Sequence, residues 1–271
     1  MKRIFSFMIA SLLLAATVAI AQSTPALSLA TLNGKYAFGG YGDRFGSILF
    51  LLPTDTPIAD IGYLIFDGKG NVTTGKMFED VNTTSSTLTE TGTYTLNTDN
   101  SFTVTLSGTQ SRKFNVIADM IDPNTGIAQS ANGDDVGFGD GAGDNLSVQF
   151  WETFDPQGGW VQSDLAGTYS GEVFGTNAAG QKVSGAMRYV IDESGSITGT
   201  GHESDQGVNR ADTVSGSVTM STDGTYSGDI IVNGQSMSLK GIAIAVGDSC
   251  PACGHSTLDI SNGLFEYFAQ Q

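Results

Sequence analysis

Three strand-and-turn blocks occur twice in this chain, in the same order and at nearly the same spacing. Leu32-Asn33-Gly34-Lys35-Tyr36 matches Leu165-Ala166-Gly167-Thr168-Tyr169. Asp67-Gly68-Lys69-Gly70-Asn71-Val72-Thr73 matches Asp192-Glu193-Ser194-Gly195-Ser196-Ile197-Thr198. The stretch from Gly92 to Phe102 matches the one from Gly216 to Tyr226. Chance similarity between Gly- and Thr-rich strands could give one such block. Three in register mean two copies of one supersecondary unit, and the fold must accommodate both.

Each copy is built of strands. In Phe102-Thr103-Val104-Thr105-Leu106 the apolar residues fall on one face and the threonines on the other. Phe114, Val116 and Ala118 repeat the pattern, as do Leu146, Val148 and Phe150, and Met187, Tyr189 and Ile191. A period of two with one wet face belongs to antiparallel sheets. Asp223-Gly224 and Asn233-Gly234 supply the positive φ angles that hairpin turns need, and 36 glycines fit a chain of many tight turns. No amphipathic helix is evident past the N-terminal segment. The fold class is therefore all-β: two tandem antiparallel β-meander units of seven or eight strands each. Each unit has enough strands to close as a small barrel and leave no edge exposed. The rival arrangement is one larger barrel or sandwich formed by both halves. The first unit is placed at residues 22–154 and the second at 165–271, joined by a linker over 155–164 that includes Asp155-Pro156-Gln157-Gly158-Gly159-Trp160.

The N-terminus carries Lys2 and Arg3, then an apolar run to Ile20 that ends in Ala19-Ile20-Ala21. These are the parts of a signal peptide, with cleavage expected after Ala21. The expected location is secreted, periplasmic or cell-surface, with no membrane insertion after cleavage. The net charge is −16, and two units more negative once Lys2 and Arg3 are gone. Such an acidic chain lacks the basic footprint that nucleic acid requires, and it does not suit docking on anionic lipid.

Candidate chemistry is sparse. Cys250 and Cys253, in Cys-Pro-Ala-Cys-Gly-His, are expected to pair as a disulfide in an oxidising exterior. The sharper alternatives are a redox Cys-x-x-Cys, or a metal site with His255 and His202. The segment 122–145 reads as an acidic, Gly-rich loop, and its Asp134, Asp135, Asp140 and Asp144 make a weak Ca²⁺ candidate, since that ion takes six to eight oxygens. The spacing fits no EF-hand, and the plainer reading is a solvated loop. His202-Glu203-Ser204-Asp205 places an acid, a nucleophile and a base in a row, but neighbours along a strand point apart. Carboxylate-based hydrolysis stays open, because pairing in space is invisible in a sequence. The aromatics Tyr36, Phe38, Tyr41, Trp151, Trp160, Tyr169 and Phe174 read mainly as core, with a ligand-lining role as the alternative.

The Leu-x-Gly-x-Tyr opening, the Asp-x-x-Gly-x-Val/Ile-Thr hairpin and the Gly-Thr-x-Thr strand before an Asp-Asn or Asp-Gly turn resemble a repeat domain of secreted bacterial proteins, of the calycin-like (lipocalin-like) β-barrel type. The resemblance implies architecture, and by analogy a barrel interior able to hold a small apolar ligand. The function expected is that of an exported, non-enzymatic β-barrel protein. It would bind a small apolar or glycan ligand, or act as an envelope or extracellular surface component. The alternatives are a Ca²⁺-dependent structural or adhesive protein and a secreted carboxylate hydrolase. No cofactor is expected other than possible Ca²⁺.

Overall fold

The structure is a computed structural model, described for residues 26–45, 55–81, 84–138, 143–176, 182–205, 207–245, 254–259 and 264–270. The alternating segments form two antiparallel meanders. In the first, β1 (Asn33–Phe45), β2 (Asp55–Asp67), β3 (Asn71–Val81), β4 (Thr84–Leu96), β5 (Phe102–Ser107), β6 (Ser111–Ile121), β7 (Ala128–Phe138) and β8 (Gly143–Thr153) pair in chain order. Strand β8 returns to pair with β1, and the sheet closes into a barrel. The second sheet repeats the path. A curled six-stranded sheet comprises β9 (Gly167–Thr176), β10 (Lys182–Ile191), β11 (Ser196–Asp205), β12 (Val208–Met220), β13 (Thr225–Val232) and β14 (Gln235–Ile244). Strands β15 (Gly254–Asp259) and β16 (Leu264–Gln270) complete the ring, with β16 pairing against β9. The division into two meanders rather than one shared barrel follows from these registers.

The repeated turn has repeated chemistry. Between β2 and β3, Asp67 Oδ1 accepts hydrogen bonds from the Lys69 and Asn71 amides at 2.7 and 2.9 Å. Between β10 and β11, Asp192 Oδ1 accepts from the Ser194 and Ser196 amides, both at 2.9 Å. The side-chain hydrogen bond from Asn71 in one turn and from Ser194 in the other, followed by the amide bonds, hold both carboxyls below the usual carboxylate range. A short aspartate that ties down the backbone two and four residues on is the local reason the chain reverses here.

Each barrel is closed at the end where its chain enters. In the first, the 3-10 turn Leu29–Thr31 lies across the opening, and the Tyr94 hydroxyl donates to the Leu29 and Leu32 carbonyls at 2.9 and 2.8 Å. Tyr36 donates to the Ala128 carbonyl at 2.6 Å, and burial raises its phenol pKa. Above this plug Tyr36, Phe66, Tyr94 and Phe102 form a chain of edge-on and tilted ring contacts. In the second barrel, the 3-10 turn Gln162–Leu165 does the same work, and Tyr169 donates to the Leu165 carbonyl at 2.9 Å. Trp160, expected in the linker, is buried in that core, and the indole N–H donates to Asp155 at 2.9 Å.

The barrels meet along an apolar seam. Ala37, Ala59, Ile61 and Phe78, which point out of the first barrel, pack on Ile242 and Ile244 of β14. Burial on both faces explains why Ile58 to Ile61 is almost continuously apolar rather than alternating. Lys35 Nζ crosses the seam to Asp155 at 2.5 Å and to the Asp223 carbonyl at 2.7 Å, over the Tyr63 ring. Lys76 Nζ reaches Asp223 at 3.0 Å and Thr225 at 2.9 Å.

Candidate functional site

The two barrels differ at the end opposite their plugs. In the first, the inward positions of β2, β3, β4, β6 and β7 at this level are Asp60, Glu79, Glu90, Arg112 and Asp135. All five are buried. Strand geometry places them. Asp60 lies directly opposite Glu79 across β2 and β3, and a register shift between Lys113 and Phe114 sets Asp135 opposite Phe114, two residues along β6 from Arg112 on the same face. The Arg112 guanidinium is the hub. The Nε and Nη2 atoms both donate to Asp135, the first at 2.9 Å. Nη1 stands 2.6 Å from Asp60 Oδ2, 3.5 Å from Glu79 Oε2 and 3.1 Å from the Met77 sulfur. Glu90 accepts from the Gly108 and Gln110 amides at 3.1 and 3.3 Å, and Glu79 accepts from the Gln110 side chain at 3.2 Å.

Four carboxylates thus face one guanidinium among the described residues. Asp60 bears the consequence. Its Oδ1 has no hydrogen-bond donor, and burial, opposed by Arg112 but reinforced by Glu79, pushes the carboxyl up to about 7. Burial also raises Glu90. A carboxyl of this kind has the acidity of a general acid, but no substrate can reach it. Ile58, Asp60, Leu64, Glu90, Arg112 and Phe114 keep only 0–1 % of their surface within reach of water. The charged end is filled, like the aromatic end beneath it.

The same level of the second barrel is apolar. By register, Gly185 stands where Asp60 does, Val214 where Glu90 does and Met237 where Arg112 does. Glu203 keeps the position of Glu79, half-buried at the rim, and Asp259 occupies the backbone position of Asp135. The inward side chains Val183, Met187, Tyr189, Val214, Val232, Met237 and Leu239 each keep 4–7 % of their surface within reach of water. Trp160 and Leu165 seal the lower end. Together these side chains form the packed apolar core of the second barrel, with two adaptable methionines among them.

The residues singled out from sequence are dispersed. Asp134 points outward and Asp135 inward onto Arg112, so these two do not face a common point. Asp140 lies outside the described residues, and Asp144 is described only by its backbone, opposite Arg44 in the β1–β8 register. The segment expected as a loop is mostly strand: β7 and the start of β8 cover 128–138 and 143–145. Glycine between the aspartates let it read as loop, yet Ala131, Gly133 and Asp135 form the inward face of a strand. Cys250 and Cys253 lie outside the described residues, and His255 is described only by its backbone. His202 is exposed on β11. Among the aromatics, Tyr36, Phe38, Trp160 and Tyr169 are core, and Tyr41 and Trp151 pack at the seam. The side chain of Phe174 is outside the described set.

Sequence reasoning missed Arg112 and the carboxylates around it. The available signal was an arginine in the alternation register of Phe114 and Val116, on the face where β-strands carry apolar residues.

No family model and no curated protein matches the chain in sequence. Among solved structures, kievitone hydratase from Nectria haematococca matches at 6% identity and a TM-score of 0.31, over 93% of this chain and 95% of that one. A candidate AttH protein from Nitrosomonas europaea matches at 9% identity and a TM-score of 0.29, over 88% and 92%. Likenesses at these scores carry no argument about fold or activity.

Proposed function

We propose that this chain is an exported, non-enzymatic binding protein of the calycin-like type, whose second barrel holds a small apolar ligand and whose first barrel is a filled scaffold. The observation that carries this reading is the contrast at one level of the two barrels. The interior of the second is filled there by apolar side chains that need no hydrogen-bond partner, while the first is filled by a charged cluster around Arg112. A mainly apolar barrel interior with adaptable methionines suits small hydrophobic molecules. The basic, then apolar N-terminus ending in Ala19-Ile20-Ala21 supports export. The seam fixes the scaffold barrel against β14, the strand that carries Met237 and Leu239.

The test is titration of the mature protein with an environment-sensitive apolar fluorophore. Saturable binding at one site is expected, and Met237→Trp, which fills that interior further, should weaken it roughly tenfold or more, a loss of about 1.4 kcal/mol. Absence of saturable binding, or unchanged binding in a Met237→Trp protein that melts normally, would contradict the reading.

A further inference from the structure

The charged cluster of the first barrel satisfies three of its acids and leaves the fourth short. Asp135 takes two N–H groups of Arg112, Glu90 takes the Gly108 and Gln110 amides, and Glu79 takes the Gln110 side chain. Asp60 has Arg112 Nη1 beside Oδ2 and no donor at Oδ1. Gly40 stands opposite it on β1, and the inward residues Leu106 of β5 and Val148 of β8 are apolar. Among the described residues, the charged groups that share this interior with Asp60 are Glu79, Glu90, Arg112 and Asp135, from β3, β4, β6 and β7. Asp80, the residue after Glu79, is a further buried acid on the other side of β3.

Four ionised carboxylates against one guanidinium would leave an uncompensated negative charge out of reach of water. Neighbouring buried carboxyls relieve this by keeping a proton between them. Strand pairing names the two. Asp60 and Glu79 are directly opposite in the β2–β3 register and face the same way, which brings their side chains within reach of each other. Both approach one nitrogen, Arg112 Nη1, at 2.6 and 3.5 Å. A proton on Asp60 Oδ1 turns its unsatisfied oxygen into a donor, and Glu79 offers an acceptor from the opposing strand. Burial, opposed by Arg112 and reinforced by Glu79, raises the Asp60 carboxyl to about 7, in line with that placement.

The two acids lie on strands that hold the barrels together. Ala59 and Ile61 flank Asp60, Phe78 precedes Glu79, and all three face the seam, against Ile242 and Ile244 of β14. A change of charge on the inner face of β2 and β3 is therefore felt on their outer face. We propose that Asp60 and Glu79 share one proton, and that this proton sets how tightly the first barrel holds the second. With the proton in place the β2–β3 pair is closed and the seam is packed. Without it two adjacent carboxylates repel, and the seam loosens. The joint works in this way whether or not the second barrel takes a ligand.

The two tryptophans provide the readout. Trp151 packs against the seam and is partly buried, while Trp160 is buried in the second core. Acrylamide quenching of the intrinsic fluorescence therefore reports on the seam through Trp151. In the wild-type protein quenching is expected to rise roughly twofold with pH, in one transition centred near pH 7, as local opening exposes the seam. In Asp60→Asn, which keeps every other titratable group, both histidines included, quenching should stay at its low-pH level throughout. In Glu79→Gln the transition should shrink and move to lower pH, because the like charge that holds the proton on Asp60 is gone. A purely structural role for these acids would change the melting temperature and leave no such titration. A flat wild-type curve, a transition that persists in Asp60→Asn, or an unchanged transition in Glu79→Gln would each overturn the proposal. Should Asp60→Asn fail to fold, the Glu79→Gln curve decides alone.

Discussion

The two barrels share strand order, turn chemistry and plug, and differ in what fills the end away from the plug. In the first, four carboxylates surround Arg112; in the second, Gly185, Val214 and Met237 stand in place of Asp60, Glu90 and Arg112. A duplicated frame can therefore be closed in two ways. A guanidinium ringed by carboxylates fills space because each oxygen and each N–H needs a partner at a defined distance. Methionine and valine fill space without demanding partners, and their packing adapts more readily. A buried ionic cluster is weak evidence for added stability, because desolvation offsets most of the attraction. Its effect here is to fix the interior in one arrangement.

The difference can be broken most severely at the hub. Arg112→Met copies the second barrel into the first and leaves several buried carboxylates without their cation. Loss of one partner from a buried ionic network costs about 3–5 kcal/mol, so chemical denaturation should show a large drop or no folded protein. A cost under about 1 kcal/mol would mean that the network is not closed as described.

Next comes Asp60. Its folded carboxyl titrates near 7, against an ordinary value of 3.8. Between those values the folded chain holds a proton that the unfolded chain releases, so this group lowers stability as pH rises from about 4 to 7, and the deficit persists above. Asp60→Asn removes the titration. Relative to wild type it should gain on the order of 3–4 kcal/mol between pH 4 and pH 8, read as diverging denaturation midpoints. Parallel curves across that range would contradict the assignment of the proton to Asp60.

A smaller effect is expected at Gly241. The corresponding position in the first barrel is Val116, opposite Phe102, whereas Gly241 is opposite Tyr226. A Cβ on Gly241 would lie 2.0 Å from the Tyr226 ring. Restoring the first barrel's residue with Gly241→Val should overpack the second and lower stability by about 1–3 kcal/mol. Full stability would show that the two interiors are interchangeable here. The smallest effect is expected at the seam, where Lys76→Met removes the 3.0 Å ion pair to a partly exposed Asp223. That pair contributes less than about 1 kcal/mol, and a salt titration of the melting temperature should show the variant less sensitive than wild type.

The fold was legible because its signals are local. Alternation in Phe102–Leu106 and the aspartate turns at Asp67 and Asp192 act through neighbours in sequence, and the duplication made each visible twice. The candidate site was not legible, because its partners are brought together by closure of the ring. Asp60 and Glu79 become neighbours only through the β2–β3 register, and Arg112 joins them across the interior. Trp160 was read as linker for a related reason: Pro156 and the Gly158-Gly159 pair mark a turn, but nothing in sequence shows that the turn folds back into a core. The aspartates of 122–145 were conspicuous by their density, yet consecutive residues on a strand face opposite ways, which separates Asp134 from Asp135.

The most direct test of the contrast is diffraction from crystals of the protein held under xenon, an apolar atom that settles in dry apolar space and not among paired charges. Xenon is expected inside the second barrel, against Met187, Tyr189 and Met237, and absent from the interior of the first. Xenon beside Arg112, or an empty second barrel under the same pressure, would contradict the division into one filled barrel and one receptive one.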